Sequence, residues 1–159
     1  MLVEREKISE CQVTITHSEK IGISIVSDPR FVFGIDLEWK NQWKSDSIHN
    51  FFSEKEQELL KISNENKLEL LFWSSKEALG KYLGIGLSAD PIIFEITNVK
   101  QHKDFYEVSF RNFLRHKVLG YQSPEFVLAV AYYDRVSRKS IESLVESISY
   151  TIESRIRKW

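Results

Sequence analysis

Residues 70–88 read LLFWSSKEALGKYLGIGLS. At 100° per residue, Leu71, Phe72, Ser75, Ala78, Leu79, Tyr82 and Leu83 share one broad arc, with Trp73, Ser74, Glu77 and Lys81 opposite, so the stretch predicts an amphipathic helix. Gly84 and Gly86 end it, because glycine readily takes the left-handed backbone that closes helices. Read alone, Glu77 and Lys81 are an (i, i+4) pair in the favourable order, worth ~0.2–0.5 kcal/mol. Lys76 lies near the edge of the apolar arc and reads as a solvated side chain, and Trp73 as packing or binding.

Upstream, FVFGIDLEW alternates, with Phe33, Ile35, Leu37 and Trp39 on one face and Gly34, Asp36 and Glu38 on the other. Two carboxylates therefore point to one side of a strand. Before it, VTITHSEKIGISIV has a period of two on both sides of a polar turn, predicting a β-hairpin with His17 and Ser18 at its tip. After it, SDSIHNFFSEKEQELLKIS carries an apolar stripe interrupted near Ser53, where SEKE has the form of a capping box that opens a new helix after a kink or a helical hairpin.

Beyond the helix, PIIFEIT, FYEVSF and EFVLAVAYY predict three antiparallel strands. From about Ser137 to Trp159, Ile141, Leu144, Val145, Ile148, Ile152, Ile156 and Trp159 recur at spacings of three and four, a second amphipathic helix that needs a partner surface. The stretches THSEKIGISIV and YQSPEFVLAVA faintly echo each other, each running from a polar loop into an alternating strand. The expected fold is α+β, an antiparallel sheet packed by helices.

The 159 residues, 42% hydrophobic and without a Pro-rich or charge-block linker, read as one domain spanning 1–159. Twenty-two basic against 23 acidic side chains leave a charge of -1, which lacks the basic footprint of a nucleic-acid binder. Cys11 is the single cysteine, so no intrachain disulfide or zinc cluster forms, as suits a cytoplasmic protein. No signal-like or membrane-spanning run is expected.

Asp36 and Glu38 from the strand, with Glu77 from the helix, would supply hard oxygen donors for Mg²⁺, and Lys81 would hold a phosphate oxygen, provided that strand and helix meet. The order of FGIDLE, FFSEKEQELL and FWSSKEALGK resembles the 4'-phosphopantetheinyl transferase superfamily, whose motifs are a G-I-D-x-E strand and a W-S-x-K-E-x-x-x-K helix. Gly34, Ile35, Asp36 and Glu38, then Trp73, Ser74, Lys76, Glu77 and Lys81, complete that pair. Phe52, Ser53 and Glu56 are similar to the family's F-S-x-x-E segment, and ITHS resembles the I-S-H-S loop of surfactin-type members, with Thr16 in place of a serine.

The resemblance implies transfer of the 4'-phosphopantetheine arm from coenzyme A to a serine of an apo acyl, peptidyl or aryl carrier protein, with Mg²⁺ as metal and adenosine 3',5'-bisphosphate as product. It makes Asp36, Glu38 and Glu77 metal ligands, Glu77 also the base, Lys81 a pyrophosphate contact and acid, and Thr16 and His17 coenzyme A phosphate contacts. The chain has the size of a holo-acyl-carrier-protein synthase but the surfactin-type motif order, and most of a surfactin-type first half has no counterpart in it. A homo-oligomer is therefore expected, with dimer and trimer both open, and the alternative to transfer is a noncatalytic module that binds carrier or coenzyme A. The C-terminal helix has no counterpart in the family pattern; it either covers the surface that the first half would bury or packs on its own domain.

Overall fold

A computed structural model describes residues 10–18, 21–43, 49–62, 68–86 and 90–157. Strands β1 (Gln12–Ser18) and β2 (Ile21–Ser27) form a two-stranded antiparallel hairpin. His17 and Ser18 are paired strand residues, opposite Gly22 and Ile21, rather than the tip of the hairpin; positions 19–20 lie outside the described residues. Next come β3 (Gly34–Trp39), helix α1 (Glu54–Ile62) and helix α2 (Leu68–Tyr82). Strands β4 (Ile96–His102), β5 (Phe105–Phe110), β6 (His116–Gln122) and β7 (Phe126–Tyr133) precede helix α3 (Arg138–Ile156).

The five later strands make one antiparallel sheet in the order β3-β7-β6-β5-β4. Strand β7 is buried along almost its whole length, which is why FVLAVAYY is a continuous apolar run. Its alternate residues serve two cores. Val127, Ala129 and Ala131 join Leu71, Phe72, Ala78 and Leu79 of α2, whereas Phe126, Leu128, Val130 and Tyr132 join Ile141, Val145 and Ile152 of α3. Ile35 and Leu37 of β3 belong to the α3 core, so the intervening Gly34, Asp36 and Glu38 face α2.

α3 thus packs on its own domain, against the sheet face opposite α2, and Ile21, Ile23 and Ile25 of β2 close the same core. Tyr121 of β6 donates a 2.7 Å hydrogen bond to Glu153 of α3. Position 159 lies outside the described residues. Edge strand β4 is exposed and polar after Ile96 except for half-buried Val99, as edges that avoid further pairing tend to be.

One expected strand boundary moves and one strand is added. Pro91–Phe94 is a short 3₁₀ helix, because Asp90 caps it by accepting from the Ile92 N–H at 3.0 Å and Pro91 suits a helix start. β6 is an additional strand, whose Lys117, Gly120 and Gln122 dilute the alternation that marks its neighbours. The SEKE capping box forms: Glu56 N–H donates to Ser53 Oγ at 3.3 Å and Ser53 N–H to Glu56 Oε2 at 2.8 Å. Among the described residues, the 3₁₀ turns Lys40–Gln42 and His49–Phe51 precede it, and positions 44–48 lie outside them.

Candidate active site

Gly34 sets how closely β3 and α2 meet. A Cβ there would collide with the Ala78 carbonyl oxygen and lie 2.6 Å from the Tyr82 nitrogen, so only glycine permits this approach. The close contact brings Asp36 and Glu38 beneath Ser74, Glu77 and Lys81, which recur at i, i+3 and i+7 along one side of α2.

Asp36 is buried and uses both oxygens: Ser74 Oγ donates to Oδ2 at 2.8 Å and Lys81 Nζ to Oδ1 at 2.8 Å. Lys81 therefore pairs across to the strand rather than with Glu77, correcting the expected helix ion pair. Thr16 of β1 is also buried, and its hydroxyl accepts from the Leu37 N–H at 3.2 Å and from Lys81 Nζ at 3.4 Å. This oxygen links the hairpin to Leu37 and Lys81, while His17 beside it is exposed.

Thr16, His17, Asp36, Glu38, Glu77 and Lys81 line one open cavity of about 290 Å³. Glu38 is pushed up to about 7, first by burial, then by repulsion from Asp36 and Glu77, against a hydrogen bond from Trp73 and the charge of Lys81. Burial and Asp36 also raise the Glu77 carboxyl. Three carboxylates crowding one ammonium make a site short of positive charge, and oxygen donors suit Mg²⁺. As they stand, no three His, Cys, Asp or Glu side chains among the described residues converge tightly enough to enclose an ion.

Two residues excluded from the expected site support it. The Trp73 ring packs 5.2 Å from Phe51 and 6.3 Å from Trp43 and donates to Glu38, and the tryptophan of the W-S pair was the signal for it. Lys76, read as solvated, is fully buried: its ammonium donates to Glu56 Oε2 at 2.9 Å, Phe51 O at 2.8 Å and Pro91 O at 3.0 Å. A helical wheel does not contain Glu56, which the capping box turns inward, so the wheel misplaces the lysine. Glu56 also accepts from the Ile96 N–H at 2.9 Å, and the pair ties α1, α2, the 3₁₀ turns and β4 together.

Fold and site define an α+β protein with an acidic pocket between a G-I-D strand and a W-S-x-K-E helix. A family model for the 4'-phosphopantetheinyl transferase superfamily matches residues 32–131, and the chain belongs to that superfamily. No curated protein matches the chain significantly. The match takes in β3 to most of β7; hairpin β1–β2 and α3 lie outside it. Among the described residues, no helix is long and apolar enough to cross a membrane.

Proposed function

We propose that the chain transfers 4'-phosphopantetheine from coenzyme A to a serine hydroxyl of an apo acyl, peptidyl or aryl carrier protein, in a Mg²⁺-dependent reaction that releases adenosine 3',5'-bisphosphate. The observation that carries this reading is the meeting of Asp36, Glu38, Glu77 and Lys81 in one cavity, from two separate motifs within the family match. Asp36, Glu38 and Glu77 would hold Mg²⁺, which when bound neutralises the bridging phosphates.

Glu77, free of the ion pair that occupies Lys81, accepts the proton of the carrier serine. The serine oxygen then forms a bond to the phosphorus on the pantetheine side of the pyrophosphate, and the bond from that phosphorus to the bridging oxygen breaks. Lys81 stabilises the charge building on the departing phosphate and supplies its proton. Trp73 orients Glu38, and Ser74 orients Asp36. Thr16 holds Lys81 and the hairpin in register, and His17, exposed beside it, meets a phosphate of coenzyme A.

Coenzyme A is a polyanion, and Lys81 and His17 are the cavity's basic lining residues. Further positive charge comes from the metal and, in a homo-oligomer, from basic side chains of a second copy. The proposed compartment is the cytoplasm. The test is consumption of coenzyme A by the purified chain with Mg²⁺ and a panel of apo carriers: serine-linked product supports transfer. Calorimetric binding of coenzyme A without turnover, unchanged by Glu77→Ala, would instead identify a noncatalytic binding module.

A further inference from the structure

Strand β2 has β1 on one edge, and among the described residues no strand pairs with its other edge. In an antiparallel ladder, alternate N–H and C=O groups point away from the partner, leaving a row of hydrogen-bonding groups along such an edge. This edge runs beside a groove of about 360 Å³ between β2 and α3, a size within the range of roughly 300–1,000 Å³ typical of ligand clefts. Ile21 and Ile23 form one wall; Ile148, Ile152 and Arg155 stand on the other.

Three observations bear on what the groove accepts. A Cβ at Gly22 would meet nothing within 4 Å, so the face of β2 turned away from the isoleucines is uncovered there. Arg155 is exposed, lines the groove, and makes no ion pair among the described residues. Among the described residues, no carboxylate lines the groove. A hydrocarbon chain would cover the isoleucines but leave the strand's polar groups unpaired, whereas an extended peptide satisfies both.

We infer that the groove between β2 and α3 binds an extended peptide segment as an added strand on β2, its apolar side chains against the isoleucines and a carboxylate at Arg155. The surface is separate from the cavity at Asp36 and Glu77, and the inference stands on the strand edge and Arg155 whether or not transfer occurs there.

The probe is a fluorescent seven-residue peptide of alternating Val and Thr flanked by Asp, matched to the length of β2 and titrated into the full chain. Saturable one-to-one binding is expected. Methylating alternate backbone nitrogens, which removes strand hydrogen bonds but keeps the side chains, should weaken it about tenfold or more. Arg155→Glu should weaken it by a similar factor and shift preference to the Lys-flanked version, with circular dichroism unchanged. Absence of saturable binding overturns the inference. So does equal binding of the methylated peptide, or equal displacement by dodecanoate, either of which would mark a merely apolar groove.

Discussion

At residue scale, the Lys76–Glu56 pair shows why a buried charge needs its partner. Every ammonium proton of Lys76 meets an oxygen, and both Glu56 oxygens are used. Burial pulls the Lys76 ammonium below the usual lysine range, and Glu56 pushes it back. Lys76→Met strands a buried carboxylate and should cost about 3–5 kcal/mol in urea unfolding, with Lys76→Met/Glu56→Gln recovering much of it. An equal loss in both variants would show that packing, not the stranded charge, dominates. This pair was illegible in sequence because the partners are 20 residues apart and the wheel of α2 reports only α2.

Glu38 gives the site a pH signature. Its carboxyl holds a proton between about 4.5 and about 7 in the folded chain, where the unfolded chain has released it. The folded state then binds more protons, so this group's contribution is full below about 4.5 and is lost as pH rises through 7. Urea midpoints in metal-free buffer should therefore fall more between pH 5 and pH 8 for the native chain than for Glu38→Gln. His116, whose lowered value acts in the opposite direction, is common to both proteins and cancels in the difference. Parallel profiles would contradict a Glu38 carboxyl raised by burial and by the neighbouring Asp36 and Glu77.

At the scale of elements, α2 lies close to β3, β6 and β7 because small residues sit beneath it: Gly34, Gly120, Ala129 and Ala131. Gly34→Ala forces two backbones apart and should lengthen the Lys81–Asp36 contact of 2.8 Å. A loss of about 1–3 kcal/mol, from a mutation of one methyl that touches no ligand, is expected in unfolding together with loss of activity. Near-native stability and turnover would mean that the strand–helix distance does not build the site. The alternation of GIDLEW made β3 and its acidic face legible, since period two survives when one face is core and the other a site. PIIF was not, because a short apolar run behind Pro91 has the same pattern whether it bends or extends. The capping box at Ser53 was legible because its two partners are local.

For the whole molecule, a sheet core with helices on both faces makes α3 integral, not appended. It covers Leu119, Leu128 and Val130, which are fully buried. Removing residues 137–159 bares that face, so the shortened chain should lose cooperative unfolding and bind hydrophobic dyes. A soluble, cooperatively unfolding fragment would contradict this packing. The period of the C-terminal helix showed its apolar stripe, but periodicity does not say which surface receives it; the sheet's alternation supplies the answer.

The most direct test of the account is the intact mass of an apo carrier protein incubated with the chain, coenzyme A and Mg²⁺, beside the Glu77→Gln variant. A phosphopantetheine adduct on the carrier serine, formed about a hundredfold or more slowly by the variant, is the predicted result. A folded native chain that adds no mass to any carrier in the panel, or a Glu77→Gln chain that works at the native rate, would contradict it.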